Sequence, residues 1–182
     1  NATAITIDSN ENVGIGRAPE SDYYSTLSVL ALGNSSAIYA STSGNPNLTF
    51  NDNLFINSAG NNEYQTSNPG TRLEQFNGTL TFNNAPSGTA GQTATLTERF
   101  RIDSSGNVGI GNASPSSFYA GATNLVIGSG SGDEGMTIYS DTVSRLHFAD
   151  GTSGGAQYAG FVNYVHTDDS AGTNTGAFHI GA

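Results

Sequence analysis

The chain has 182 residues, of which 35% are hydrophobic and 11% charged, so glycine and uncharged polar residues dominate. Fifteen acidic residues oppose five arginines (Arg17, Arg72, Arg99, Arg101 and Arg145), and a net charge of −10 repels nucleic-acid phosphates and anionic lipid. Cysteine is absent, which excludes a disulfide framework, a thiolate metal site and a thiol nucleophile.

Gly, Ser, Thr and Asn favour turns over helices. Nine Phe, eight Tyr and alternating apolar runs argue against disorder, which leaves an all-β chain as the expected class. In chain order, Ile7-Asp8-Ser9-Asn10-Glu11-Asn12-Val13-Gly14-Ile15-Gly16 reads as strand, turn, strand. Glu11 occupies the turn position where a glycine would be easiest, so Asn10 or Asn12 is expected to carry any left-handed residue. Asp22–Leu32 is the only stretch that could hold a helix. Its apolar run near Leu27–Leu32 is far too short to span a bilayer, so no membrane insertion is expected. Leu48-Thr49-Phe50 and Leu80-Thr81-Phe82 read as short strands. Phe100-Arg101-Ile102-Asp103, a Ser104-Ser105-Gly106-Asn107 turn and Val108-Gly109-Ile110-Gly111 form a second hairpin signature. Glycines alternating with Val108 and Ile110 leave one strand face bare, open to close approach by another backbone. Phe161–His166 is a longer strand and Phe178-His179-Ile180 a short one.

These segments repeat. Ile7–Gly16 matches Ile102–Gly111 at an offset of 95, and Tyr23-Tyr24 falls on Phe118-Tyr119 at the same offset. Leu30-Ala31-Leu32-Gly33 falls on Leu125-Val126-Ile127-Gly128 likewise, and Ile38-Tyr39 answers Ile138-Tyr139 after a short insertion. Leu48–Phe50 then answers Leu146–Phe148, and Gly78–Phe82 answers Gly176–Ile180, both at 98. Order preserved across six blocks marks a tandem duplication, with repeat 1 at residues 1–97 and repeat 2 at 98–182. The second copy stops where a further Phe-Arg-Ile-Asp segment is due, so the array is expected to continue beyond it. A glycine-rich strand with a thin apolar face cannot build a large core alone; stacking with a neighbouring repeat or wrapping with identical chains would supply the burial.

Motifs with chemical potential read as ordinary structure. Asp8, Asn10 and Asn12 open like a calcium loop, as do Asp103, Ser105 and Asn107, but the sixth position is Val13 or Val108 and no bidentate acid follows at the twelfth. Asp133-Glu134 and Asp168-Asp169 could pair as glycosidase carboxylates. Each pair sits among Gly, Ser and Thr, as solvated loop acids do. His147 and His179 occupy mid-strand positions flanked by apolar residues and read as outward-facing. His166 with Asp168 and nearby serines lacks any nucleophile context. Gly128–Gly132 has no Lys to make a phosphate loop. The sequons at Asn34, Asn77 and Asn112 are expected from composition. Tyr23, Tyr24, Tyr119 and Tyr158 could stack on sugars, although core packing is the default for those matched between repeats. No catalytic residue, metal site or cofactor is expected, and the chain is read as not an enzyme.

The string Glu98-Arg99-Phe100-Arg101-Ile102-Asp103-Ser104-Ser105-Gly106-Asn107-Val108-Gly109-Ile110-Gly111, followed by Ser114-Pro115-Ser116, resembles a repeat of phage tail-fibre and tail-associated proteins, especially of marine phages. Leu146–Thr152 with Tyr158-Ala159-Gly160 resembles a second block found beside it. The resemblance touches most of the chain through its two copies. It implies short antiparallel strands and hairpins intertwined in an elongated homotrimer within a virion appendage. Self-association, other virion proteins and a host surface glycan or protein are then the expected partners, with the receptor unspecified. Members of that family often end in a self-cleaving trimerisation domain, which nothing here matches. Two other readings fit a β-rich repeat: a trimeric capsid decoration (cement) protein, and a bacterial surface adhesin or extracellular filament.

Overall fold

The computed structural model describes residues 4–44, 47–166 and 177–181. The fifteen described strands are β1 (Ile5–Ile7), β2 (Val13–Ile15), β3 (Leu27–Leu32), β4 (Ser36–Ser41), β5 (Asn47–Asp52), β6 (Leu54–Ile56), β7 (Asn62–Tyr64), β8 (Gly70–Phe76), β9 (Thr79–Ala85), β10 (Thr97–Ile102), β11 (Val108–Ile110), β12 (Leu125–Ile127), β13 (Val143–Phe148), β14 (Gly160–Val165) and β15 (Ala177–Gly181). The described helical segments are three 3₁₀ turns of three to five residues. The expected all-β class is therefore what the chain adopts, and the helix considered over Asp22–Leu32 is strand β3 instead. Val29 and Ala31 face inward and Leu30 and Leu32 face the other side, a period of two that a helix cannot serve.

The chain divides into two compact units, Asn1–Glu134 and Gly135–Ala182. The first contains a ten-stranded sheet in the order β1-β2-β3-β4-β5-β8-β9-β10-β11-β12, with β6 and β7 forming a separate hairpin. Most pairings are antiparallel. The exceptions are β2 with β3 and β11 with β12, which are parallel and occupy equivalent places in the two repeats. The repeat boundary at 97/98 lies within this sheet, because β9 pairs with β10 and sets Phe82 opposite Phe100.

One face of the sheet carries the core. Tyr23, Val29, Ala37, Tyr39 and Phe55 pack together, with Leu27 and Ile56 against them. The Tyr23 ring meets Tyr39 and Phe55 edge-on, each at 5.7 Å between centroids. Leu54, Tyr64, Ala85 and Ala94 make a second cluster. Tyr39 and Tyr64 are amphipathic, and each donates its hydroxyl to a backbone carbonyl, that of Leu54 (2.9 Å) and of Pro86 (2.7 Å). Burial pushes the Tyr39 hydroxyl far above its ordinary pKa. The glycines of the alternating strands admit backbone as expected: a side chain at Gly14 would strike the Arg17 carbonyl oxygen, and one at Gly109 that of Asn112.

Asn53 holds the excursion that bears β6 and β7 on the sheet. It is buried at φ 57°, in the left-handed region that Asn tolerates better than most residues. Its Nδ2 donates to the carbonyls of Thr66, Asn68 and Pro69, and its Oδ1 accepts from the Thr66 N–H and hydroxyl. Across β8 and β9, Asn77-Gly78 has φ 48° and 75°, which makes a tight hairpin turn.

In the second unit, β13, β14 and β15 form an antiparallel sheet in that order. Val162 opposite Ile180 and Tyr164 opposite Phe178 reproduce the pairing of Leu73 with Phe82 and Gln75 with Leu80. This sheet thus repeats β5-β8-β9. By this register Phe50 corresponds to Leu146, not to Phe148 as the sequence match placed it. The shift of two keeps each side chain on its face. It accompanies a shorter connection, residues 149–159 in place of 53–69. Ile138-Tyr139 also departs from its partner: Tyr39 is buried in a strand, whereas Tyr139 is exposed and outside any strand.

Asn53→Ala should lower stability by about 3 kcal/mol, since three carbonyls and two donors lose their partner and alanine resists positive φ. Equilibrium denaturation at fixed chain concentration reads this directly.

Candidate functional site: an apolar face across ten strands

Strand register places one apolar side chain from every strand of the large sheet in a single row. Ile7 lies opposite Val13, which lies beside Leu30, then Ile38, Phe50, Leu73, Phe82, Phe100, Ile110 and Ile127. A second row passes through Leu48, Gln75, Leu80, Ile102, Val108 and Leu125. Ile5, Ile15 and Leu32 add a third patch at one end. Because side chains alternate across a strand, all of these share one face, the one opposite the core. The residues facing the core are smaller or more polar: Gly14, Ala31, Ala37, Asn51, Arg72 and Asn83 form the adjacent row there.

Ile5, Ile7, Ile15, Phe50, Leu73, Phe82, Ile110, Leu125 and Ile127 are 37–68% exposed. At roughly 200 Å² per fully exposed side chain they present on the order of 800 Å² of apolar surface. A monomer's largest apolar patch is about 300–600 Å², and a stable interface buries about 800 Å² per partner. Charge is kept to the margins of the face. Asp52, which accepts a bond from the Ser36 hydroxyl at 2.9 Å, lies in the end row with Thr71 and Asn84. A groove of about 700 Å³ at the turn between β8 and β9 is lined partly by Leu48, Leu80 and Ile102 and so belongs to the same surface.

The motifs noted in the sequence lie elsewhere. In both hairpins the aspartate closes the turn: Asp8 Oδ1 accepts the N–H of Asn10 and Asn12, and Asp103 Oδ1 those of Ser105 and Asn107, all at 2.8–2.9 Å. Asn12 and Asn107 each donate a side-chain bond to the second carboxylate oxygen at 2.9 Å. These oxygens are turn acceptors. Glu11, not Asn10 or Asn12, takes the left-handed conformation (φ 65°), at the position where Gly106 has φ 87°. The expectation failed because the aspartate grips the amides on both sides and so fixes which residue must turn. The Asn107 side chain, joined by backbone donors, holds the Asp103 carboxyl below its ordinary value of 3.8. Partial burial raises the Asp8 carboxyl, but the Asn12 and Asn10 bonds outweigh it and hold that group low as well.

Glu134 folds onto the glycine loop, accepting from Ser129 N–H (2.7 Å) and hydroxyl (2.6 Å). Asp168 and Asp169 lie outside the described residues. His147 and His179 are exposed on their strands, His147 with its ring 6.1 Å from that of Tyr158. His166 Nε2 is 2.9 Å from the Ser144 hydroxyl, whose oxygen is also 2.8 Å from the Ile138 carbonyl. A hydroxyl has one proton, and the carbonyl can only accept, so the imidazole donates to Ser144 and does not act as its base. Of the repeat-matched tyrosines, Tyr23 is buried as expected, but Tyr24 and Tyr119 are exposed. Phe55 of the β6–β7 hairpin covers Tyr23. Tyr158 is also exposed. Asn34 and Asn77 are exposed turn residues, and Asn112 bonds the Gly128 carbonyl. Among the described residues no group of His, Asp and Glu converges to hold a metal ion.

No family model, curated protein or solved structure matches the chain.

Glu11→Gly should raise stability by about 1 kcal/mol by removing a side chain from positive φ, whereas Gly106→Ala should lower it by at least about that much. Acid should loosen both turns. Their aspartates titrate lower folded than unfolded, so their contribution is complete above pH 3.8 and disappears as pH falls through the depressed folded values. An NMR titration of the Asp103 carboxyl carbon should give a midpoint below 3.8.

Proposed function

We propose that this chain is a structural segment of a phage tail fibre or similar virion appendage, assembled as a homotrimer and supporting host attachment. The observation that carries the reading is the row of ten apolar side chains, six of them exposed, with the bulk of the surrounding charge on the other face or in loops. A surface of this size, without charge at its centre, is what association between chains buries. Identical chains are the economical occupant, since every copy brings the same problem and the same solution. The number three and the virion setting rest on the resemblance of the Arg101–Gly111 repeat to phage fibre proteins. A fibre segment needs rigidity and length, and a sheet that runs through a repeat boundary without a break supplies both.

Light scattering during size-exclusion chromatography tests this. The 182-residue chain should elute at three times the single-chain mass. Phe82→Asp, which places a carboxylate in the middle of the row, should weaken association at least 100-fold, about 2.7 kcal/mol. Ser58→Glu, in the exposed β6–β7 turn, should leave the mass unchanged. A folded monomer at high concentration would overturn the proposal.

A further inference from the structure

The second repeat leaves one strand of the pattern unmade, although the residues that would make it are present in mid-chain. In the first repeat β4 pairs with β5, setting Ile38 opposite Phe50, Tyr39 opposite Thr49 and Ala37 opposite Asn51. The repeat equivalent of β5 is β13, by the register each makes with its next strand. Among the described residues no strand pairs with the edge of β13 that faces away from β14. The equivalent of β4 is residues 136–140, which carry the matched Ile138-Tyr139. They lie outside any strand, with Met136, Ile138 and Tyr139 59%, 41% and 94% exposed.

Local geometry opposes folding this segment back onto its own β13. Ile38 maps to Ile138 at an offset of 100, but Phe50 maps to Leu146 at 96, so the link is four residues shorter in the second repeat. Only Asp141, Thr142 and Val143 would then remain between Ser140 and Ser144. A three-residue hairpin loop ends on a left-handed residue, usually glycine. Val143 is β-branched, resists that conformation and already pairs with Val165 as the first residue of β13. The chain makes a tied bend instead. The Ser140 hydroxyl accepts the Thr142 and Val143 N–H, both at 3.3 Å, and the Ser144 hydroxyl donates to the Ile138 carbonyl at 2.8 Å.

We propose that residues 136–140 of one chain pair antiparallel with the outer edge of β13 in a second copy, an exchanged strand that remakes the β4–β5 contact between chains. This deepens the homotrimer reading and rests on it, each chain giving its strand to the next around the axis. An exchanged strand has no loop to close, which is how short links lead to swapping. The transferred register puts Ile138 opposite Leu146 and Met136 opposite Phe148 on one face. Leu146 and Phe148 are themselves 43% and 57% exposed, so both partners of each apolar pair are open in the single chain. On the other face Thr137 meets His147, and Tyr139 meets Arg145, whose guanidinium suits an aromatic ring.

The chain has no cysteine, so introduced thiols report only on themselves. Tyr139→Cys with Arg145→Cys places two thiols opposite each other on one face, within the spacing a cross-strand disulfide tolerates. Ile138→Cys with Arg145→Cys is slipped by one residue and points the thiols to opposite faces. On mild oxidation the first pair should give chains linked in twos and threes on a non-reducing gel, and the second at least tenfold less. Tyr139→Cys alone and Arg145→Cys alone should stay unlinked. No linked chains, equal yields from the two pairs, linking by a single variant, or a disulfide closed within one chain would each overturn the proposal. Light scattering of the reduced double variant keeps the two ideas apart. A single-chain mass removes the homotrimer and the exchange with it, whereas a trimeric mass without register-specific linking counts against the exchange alone.

Discussion

Ten strands carry one continuous row of apolar side chains, and most features of the first compact unit follow from keeping it. A slip of one residue anywhere would move the whole apolar set of a strand to the opposite face. The parallel insertion of β3 beside β2, and of β12 beside β11, preserves the row, because Leu30 lands beside Val13 and Ile127 beside Ile110. The irregularity between Glu98 and Phe100 on β10 preserves it too, since Phe100 still meets Phe82 after the shift. The turns serve the same end. Asp8 and Asp103 close the two hairpins with identical bonds, fixing where β2 and β11 begin.

The other face has the opposite problem. It is closed by the chain itself, and it is assembled from small and polar residues with Tyr23, Tyr39 and Phe55 at its centre. Arg72 is buried there with its Nε on Asn51 at 2.9 Å, and burial lowers its pKa despite the neighbouring Glu74. Its Nη2 and the Asn51 Nδ2 have no partner among the described residues, a costly arrangement for buried donors. Such a face is a modest source of stability. The apolar face, at about 25 cal/mol per Å², represents on the order of 20 kcal/mol before the costs of association, more than the net stability of most domains. On the proposed reading, this further store of burial is reserved for other chains.

Much of this was legible in the sequence. Alternation in Phe100–Asp103 and Val108–Gly111 gave the hairpin, and the 95-residue offset gave the equivalence of β1-β2-β3 with β10-β11-β12. The glycine positions foretold close backbone approach, which Gly14 and Gly109 show. What escaped was everything set by partners distant in sequence. The ten-strand row needs the register of nine pairings, which no local window contains. Tyr24 and Tyr119 could not be separated from Tyr23 without knowing that Phe55 covers only one of them. The left-handed Glu11 ran against residue preference because a carboxylate three positions earlier decided the turn. Asn53 carried no motif at all: its role arises from carbonyls 13 to 16 residues away.

The most direct test of the central claim is the equilibrium unfolding midpoint of the 182-residue chain, measured in denaturant over a hundredfold range of chain concentration. If the apolar face is buried by identical copies, folding and association are coupled and the midpoint must rise with concentration. A midpoint independent of concentration, with a cooperative single-chain transition, would mean that the sheet stands without its partners and would contradict the account.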